Sequence, residues 1–236
     1  MSSVYRQSSD DRPDAYKADP DNQLLAVFPR RRLDAEQIRD SLLVASGKIE
    51  EKIGGPSVFP AIPGGVITGY NNFDNNPLWK TSSEVRDQNR RSLYVFTRRS
   101  LPYPMLEVFD PANPQLVHSK RDVTTTPLQA LALFNNEIVF SWSQALAGRV
   151  INEAGNNEAA EVDRLYQILL ARNADKSEKA VLHDFLGKQE KIIREKAADG
   201  KFVVNLPTGL KAATTQDPIH LAAFVDLVHT VVNSNE

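Results

Sequence analysis

The 236-residue chain has a formal net charge of −2, with 41% hydrophobic and 25% charged residues, as in ordinary soluble globular proteins. Residues 1–120 carry 16 basic and 15 acidic side chains, and residues 121–236 carry 12 and 15, so neither half has the excess of positive charge that favours nucleic-acid binding. The absence of any run of about 18 apolar residues argues against a membrane span.

Residues 1–20 are polar and predict an extended lead-in. Residues 21–53 predict two helices. The first covers residues 22–28 and is ended by proline, and the second begins at the N-cap Asp34, where Gln37 completes a capping-box pattern. The apolar side chains of the second helix recur on one face. They are Ile38, Leu42, Ala45 and Ile49.

Residues 54–89 predict a long loop, because glycine, proline and asparagine are frequent there and no periodic pattern survives. Its aromatic and polar side chains resemble the mixture that stacks on sugars and hydrogen-bonds to them. The alternative is that the rings tether the loop to the helical body by burying apolar area. The residues concerned are Tyr70, Asn71, Asn72, Phe73, Asp74 and Trp79.

Residues 90–125 form a motif-rich segment with an unusual density of arginine. Within it, residues 91–97 are β-branched and aromatic and favour a short strand. Guanidinium groups bind carboxylate, sulfate or phosphate in a bidentate manner, so the arginines are a candidate anion site. The alternative is structural ion pairing with nearby acids. The candidate ligand-binding residues are Arg90, Arg91, Arg98, Arg99 and Arg121, and the acids are Asp87, Glu107, Asp110 and Asp122.

Residues 126–236 predict a bundle of five helices and almost no strand. Thr126 is placed as the N-cap of the first, with Pro127 at the first helical position and Gln129 as the reciprocal capping residue. Apolar residues then recur three and four apart in each later segment. The predicted helices end at 134 and cover 137–153, 158–172 and 177–196, and the last opens at Asp217-Pro218.

The pattern as a whole predicts a mainly α fold. We expect an irregular helical bundle with a long, loop-rich N-terminal wrapping segment and at most a short strand pair. The chain is interpreted as a single domain over residues 1–236, and as a fragment of a larger protein, because its first residues resemble the middle of one. They also lack the basic and apolar segments of a signal peptide.

One pair of acids is a candidate for catalysis. Glu36 and Asp40 lie one helical turn apart, so their carboxylates share a face. Two carboxylates at a suitable separation can hydrolyse a glycosidic bond, one as acid and the other as nucleophile or base. Such pairs are also common on solvated helices, and Arg32 and Arg39 nearby favour mutual neutralisation.

No metal or cofactor is expected in this chain. Cysteine is absent, which excludes disulfides, thiolate metal sites and covalent haem attachment through Cys-x-x-Cys-His. No two histidines recur at positions i and i+4. They are His118, His183, His220 and His229.

Three groups of residues resemble one family, the planctomycete-type C-terminal module called domain of unknown function 1553. The first group is Asp19, Pro20, Asn22, Arg31, Arg32, Leu33, Glu36, Arg39 and Asp40. The second is the run from Arg90 to Tyr94 together with Phe109 and Asp110. The third is Thr124, Thr126, Pro127, Gln129, Ala130 and Leu131. Where many relatives carry a cysteine, this chain has Val117-His118-Ser119, so a thiol role is not expected here.

The family has no established activity, and the resemblance implies only a setting. It implies an extracytoplasmic location, periplasmic or in the cell envelope, and association with cytochrome-c-like domains of the same or a neighbouring protein. We therefore expect an accessory or binding module that recognises an anionic polymer, such as an anionic glycan, or a partner domain. The alternative is a glycan-acting hydrolase or other enzyme that uses Glu36 and Asp40 or the arginine cluster.

Overall fold

The computed structural model describes most of the chain. The described residues are 2–7, 12–29, 31–62, 79–99, 101–113, 115–117, 119–155, 157–198, 200, 202–211 and 216–234. The chain divides into two compact units, Met1–Leu33 and Asp34–Glu236, and each is described by itself. None of the described helices is both long and apolar enough to span a bilayer.

The first unit contains one short helix, α1, at Pro13–Ala18. Proline stands at its first position, where the missing N–H costs nothing, and Asp14 follows in the first turn. The lead-in predicted to be extended over residues 1–20 is therefore partly helical. Composition alone predicted an unstructured segment because the helix is short and has no apolar stripe.

The helix predicted over residues 22–28 is not formed. Asn22 and Leu25 adopt left-handed backbone conformations, with φ of 49° and 54°. The Asn22 side chain donates to the carbonyl of Val27 at 2.6 Å and accepts from its N–H at 3.2 Å. The Asp19 carboxylate accepts the backbone N–H groups of the two residues that follow Asn22. Side chains thus satisfy the backbone groups that a helix would have paired.

The second unit is mainly helical, which confirms the predicted fold class. Its described elements are α2 (Ala35–Ala45), α3 (Val85–Gln88), the 3-10 turn η1 (Ser92–Tyr94), α4 (Pro104–Glu107), α5 (Pro127–Phe134), α6 (Glu137–Ala154), α7 (Glu158–Leu170), α8 (Lys176–Ala197) and α9 (Pro218–Val232). The five helices predicted beyond Thr126 are confirmed as α5 to α9. The described residues contain no sheet, only two isolated parallel bridges, Glu50 with Arg90 and Val58 with Val95.

The strand predicted over residues 91–97 is wrong, because the centre of this segment is the turn η1. The backbone pairs with a neighbouring segment at only one place. Val58 donates to the carbonyl of Tyr94 at 2.8 Å and accepts from Phe96 at 2.9 Å. The carbonyl of Arg90 and the N–H of Ser92 bond to side chains of α2 and not to a second strand, so the backbone pairing around Val58 does not extend to them.

The first core of this unit, the bundle core, lies among α6, α7, α8 and α9. Helix α9 is its centre, because Phe224, Val225, Leu227 and Val228 are all fully buried although they occupy different faces of the helix. Such burial on several faces is typical of a central helix. The apolar spacing of this segment predicts Leu221, Phe224, Val228 and Val231 to lie inward, and all four are buried.

The buried stripe of α8 differs from the prediction. The apolar spacing of this segment predicts Val181, Phe185, Leu186 and Ile192 to lie inward. Phe185 packs against the bundle core, but Val181 and Ile192 are 67% and 42% exposed. Leu186 and Ile193, seven residues apart, are each 2% exposed and form the buried stripe. The apolar spacing alone does not decide which valine and isoleucine residues of α8 face inward. The position of α9 against α8 decides it.

The second core lies between α2, η1, α4 and the start of α6. Trp79 stacks on Tyr103 with ring centroids 5.8 Å apart, and Phe59 packs edge-on to Trp79 at 5.2 Å. Leu42 and Ile49 of the predicted apolar face pack against this core, but the most deeply buried residues of α2 are others. Arg39 and Leu43 are buried, at 1% and 0% exposure. An arginine therefore occupies a position at which an apolar pattern would not have placed it.

Candidate functional site

The buried Arg39 connects α2 to the turn that precedes η1. Its Nη1 donates to the carbonyl of Arg90 at 2.8 Å and to the Ser92 hydroxyl at 3.2 Å, and its Nη2 donates to the carbonyl of Gln88 at 2.6 Å. Burial lowers the pKa of Arg39, while the neighbouring Tyr103 and Asp40 act to raise it. The residue is therefore a clamp between segments about fifty residues apart.

Arg90 is the second buried arginine, with 1% of its surface exposed. Its guanidinium donates to three backbone carbonyls, those of Lys52 (3.1 Å), Gly54 and Pro56 (3.0 Å). It also lies over the ring of Tyr94, 3.8 Å from the centroid. Because the guanidinium is occupied by the protein itself, Arg90 is not available to a ligand.

Asp40, which carries the opposite charge to Arg39, binds the same turn. Its Oδ1 accepts from both the backbone N–H and the hydroxyl of Ser92, each at 2.7 Å. Two adjacent residues of α2 thus satisfy both kinds of backbone group in this turn. Arg39 donates to its carbonyls, and Asp40 accepts from its N–H group. The Arg-Arg-Ser motif has a structural explanation in these contacts.

Glu36, the other candidate catalytic acid, forms a bidentate ion pair with Arg121. The two nitrogen–oxygen distances are 2.6 and 3.1 Å. Although partial burial acts to raise it, the hydrogen bonds from Arg121 hold the pKa of Glu36 below its ordinary value. A general acid needs a raised pKa, so this environment does not favour the hydrolase alternative.

Gln129 joins the two remaining motifs and is itself 6% exposed. Its Oε1 accepts from the N–H of Thr126 at 3.2 Å, as the predicted capping box requires. Its Nε2 donates to the carbonyl of Val108 and to the Thr124 hydroxyl, each at 3.1 Å. The Thr124 hydroxyl also donates to the Asp110 carboxylate. One side chain thereby connects the Phe-Asp motif to the start of α5.

We call these contacts the motif network. Its members are Glu36, Arg39, Asp40, Arg90, Ser92, Asp110, Arg121, Thr124 and Gln129. All of them except Arg121 belong to the motifs recognised in the sequence, but the sequence did not predict that Arg39 is buried or that Gln129 also bonds to residues outside the helix cap. The partners of both side chains lie far away in the sequence, and no local signal reveals them.

The structure does not bring the five candidate arginines together around one cavity. Arg90 and Arg121 are bound within the motif network, Arg98 is half-buried, and Arg91 and Arg99 are exposed. An apolar cavity of about 140 Å³ near α4 and α5 is lined by none of the five. The expected convergence of arginines on a single concavity is therefore not seen among the described residues.

Trp79 does not form a sugar-stacking platform, because it is 4% exposed and part of the second core. Its Nε1 donates to the carbonyl of Pro60 at 2.8 Å. This supports the tethering alternative for that ring. The other aromatic and polar candidates of the loop, Tyr70, Asn71, Asn72, Phe73 and Asp74, lie outside the described residues.

The histidines have separate partners. His183 contacts Glu158 and His220 contacts Glu190, each at 2.7 Å. His229 is buried between the Ser143 hydroxyl and the carbonyl of Phe134. His118 lies outside the described residues. Across the part of the chain that the structure describes, no group of three acidic or histidine side chains is arranged to hold a metal ion.

Comparison with known proteins agrees with the motif assignment. The family model described as PSD1, protein of unknown function (DUF1553), matches residues 1–186. No curated protein and no solved structure gave a match. The matched range contains the whole motif network and covers most of the chain, so the chain belongs to this family.

Proposed function

We propose that this DUF1553 protein is a non-catalytic accessory or binding module. Its setting would be a planctomycete-type, extracytoplasmic protein linked to cytochrome-c-like domains, of which the chain would form a part. Its ligand would be an anionic polymer or a partner domain. Any covalently attached c-type haem would belong to the partner, because this chain has no cysteine to hold one.

The observation that carries the proposal is the internal use of the motif residues. Arg39, Arg90 and Gln129 are buried and bonded to the protein itself, and Glu36 is neutralised by Arg121. Catalytic groups need access to a substrate and a suitable pKa. A motif made of such occupied groups is the framework of a module whose binding surface lies elsewhere.

An anionic polymer is favoured over a partner domain as the ligand. Arg91 and Arg99 are exposed and form no ion pair with the described residues. Exposed guanidinium groups bind sulfate and carboxylate with good geometry. They also raise the rate of encounter with a polyanion at low salt.

The test measures binding and cleavage in one experiment. The purified chain is titrated at low salt with a heparin-derived sulfated oligosaccharide, with oligogalacturonate and with an uncharged cello-oligosaccharide, while chromatography follows the length of each. We expect binding of at least one charged sugar, weakened by salt, and no shortening of any. Cleavage that Glu36→Gln/Asp40→Asn abolishes would establish the hydrolase instead. Equal, negligible binding of all three would remove the anionic polymer as the ligand.

A further inference from the structure

A cationic cleft lies at the junction of the C-terminal end of α2, the middle of α6 and residues 208–211. Its volume is about 220 Å³, and its charged lining residues are Lys48, Arg149, Glu153 and Lys211. No motif residue of the family lines it. The cleft is therefore separate from the motif network.

One wall of the cleft is held in place by side chains of α6. Asn152 donates to the carbonyl of Gly209 at 2.9 Å and accepts from the N–H of Lys211 at 3.0 Å. One turn before it, Gly148 lets the backbone of Thr208 approach closely, since a Cβ there would lie 2.0 Å from the Thr208 oxygen. One turn earlier again, Gln144 donates to the carbonyl of Leu206 at 3.0 Å. The segment that carries Lys211 is thus anchored along three turns of α6.

Arg149 is held rigidly in the cleft. Its Nη1 donates to the last carbonyls of α2, those of Val44 (3.0 Å) and Ala45 (2.8 Å), and its Nε donates to Glu153 at 2.9 Å. Its Nη2 has no hydrogen-bond partner among the described residues. The guanidinium is therefore oriented by the protein and keeps donor capacity for a further acceptor.

The only carboxylate that lines the cleft is already neutralised. Glu153 accepts from Arg149 and also from Arg164, at 2.6 Å. These hydrogen bonds, that from Arg149 first, hold the pKa of Glu153 below its ordinary value. Lys48 and Lys211 form no ion pair with any described residue. Among the described lining residues three cations, Lys48, Arg149 and Lys211, consequently accompany one carboxylate. A bound anion would stabilise this excess of positive charge.

We propose that this cleft binds one oxyanion group, with the Lys48 and Lys211 ammonium groups as charge partners and Arg149 Nη2 as an oriented donor. The inference rests on the proposed anion-binding function and adds to it a position and a chemical class of ligand. The oxyanion is either a substituent of a polymer, such as a sulfated sugar, or a free inorganic anion. In both cases the cationic groups of Lys48, Lys211 and Arg149 bind the same kind of oxyanion.

The experiment compares two charge-matched variants of the full chain. Lys48→Gln/Lys211→Gln removes both lysines of the cleft. Lys17→Gln/Lys80→Gln changes the net charge equally at exposed positions that do not line it. Arg149 is left unchanged because its bonds also hold α2. Inorganic sulfate and the sulfated oligosaccharide are titrated separately at constant ionic strength, with chloride as the balancing anion, and followed by calorimetry and by amide chemical shifts.

We expect the cleft variant to bind both probes about tenfold more weakly than the wild type. The control variant should differ from the wild type by less than about twofold. Amide shifts on sulfate addition should centre on residues 46–48 and 208–211. Binding of sulfate but not of the oligosaccharide would identify a free inorganic anion as the ligand. That result would support the cleft as the binding site and contradict a polymer as its ligand.

Two further outcomes separate this inference from the function on which it rests. If the cleft variant binds the oligosaccharide as tightly as the wild type, the cleft is not the site, while the module remains an anion binder. If the wild type binds neither probe, the cleft inference fails, while a carboxylated polymer or a partner domain remains as the ligand of the proposed module. Circular dichroism of each variant establishes that the helices are intact before the titrations are compared.

Discussion

The two cores of the second unit are stabilised by different chemistry. The bundle core around α9 is built almost wholly from aliphatic and aromatic side chains. The core beside α2 is bordered by the motif network, in which Arg39 and Arg90 are as deeply buried as any leucine of the bundle. Apolar packing is tolerant of exchange, whereas a buried guanidinium needs its carbonyls at fixed positions. The buried arginines beside α2 therefore fix the positions of irregular segments. In the bundle core, the packing of helices against one another fixes the positions of the elements.

The comparison also explains where the family motifs occur. Segments without regular structure, such as residues 50–58 and 88–96, pair with one another at only a few backbone groups, and the other buried groups need different partners. Arg39, Asp40 and Arg90 supply the missing partners. In the bundle the backbone is satisfied within each helix, and the sequence needs only an apolar pattern and caps.

The largest expected effect comes from removing a buried guanidinium. Arg39→Met should lower the free energy of unfolding by about 3 kcal/mol, because the carbonyls of Gln88 and Arg90 lose their donor in a buried site. Leu165→Ala, at a fully buried position of the bundle core, should cost a similar amount, about 3 kcal/mol. Urea unfolding measures both. Arg91→Met is the control, with an expected change below about 0.5 kcal/mol. An Arg39 variant as stable as this control would contradict a structural role for the network.

A smaller effect is expected from the close approach of two backbones in the bundle. Gly148→Ala places a Cβ against the Thr208 carbonyl, and we expect a loss of about 2 kcal/mol from the resulting overpacking. Gly187→Ala is the matched control, because no heavy atom lies within 4 Å of its added Cβ. That exchange should stabilise α8 by about 0.5 to 1 kcal/mol. Thermal unfolding of the two variants should therefore shift in opposite directions, and a shared direction would refute the steric argument.

One charged group breaks the apolar character of the bundle. Glu161 is fully buried, and among the described residues its side chain accepts one hydrogen bond, from Gln216 at 3.0 Å, while its Oε2 has none. Burial raises the pKa of Glu161 above its ordinary value of 4.5, while Gln216 and His220 act to lower it and Glu158 to raise it. Ionised Glu161 therefore destabilises the fold.

Glu161→Gln should accordingly raise the free energy of unfolding at pH 7 by about 1 to 2 kcal/mol. The sign follows from the raised pKa. Wild-type stability is highest relative to the variant below about pH 4.5, where Glu161 is protonated in both states, and falls as pH rises through the raised pKa. The difference between the two proteins should thus shrink as pH is lowered from 7 to 4. A difference that is constant with pH would show that the pKa of Glu161 is the same in the native and unfolded states.

The smallest effect is expected at a helix cap. Thr126 is extended, with φ of −126° and ψ of 148°, and forms a capping box with Gln129. Thr126→Ala should cost up to about 1 kcal/mol, because the first turn of α5 loses a side-chain acceptor. The neighbouring Thr125→Ala is the control and should be near neutral. Equal costs at the two positions in urea unfolding would mean that the loss reflects the loop and not the cap.

The elements predicted best are those whose signals are local. Thr126-Pro127 and Asp34 were identified as helix starts from four-residue patterns, and both are N-caps. Glycine is also a typical residue at helix ends, and Gly155, with a φ of 75°, ends α6. Each signal concerns backbone groups within one turn, so neighbours in the sequence are sufficient to satisfy them.

The failures share the opposite property. No pattern predicted that Arg39 is buried, because its acceptors lie about fifty residues further along the chain. Residues 22–28 carried apolar spacing suited to a helix, but the side chain of Asn22 closed the segment into a turn. In the segment predicted as a strand at 91–97, the backbone N–H of Ser92 donates to the Asp40 side chain and not to a neighbouring strand. In each case a side chain competed with the regular structure for the same backbone groups.

The sequence by itself determined the fold class, the number and limits of the C-terminal helices, and the exclusion of cysteine chemistry. Caps, helical periodicity and composition are properties of a segment, and they act before any distant contact forms. Only the tertiary structure decided which arginines are framework and which face solvent, and that Lys48, Arg149 and Lys211 surround one cleft. Burial and charge proximity depend on where segments far apart in the chain come to lie, and no local pattern contains that information.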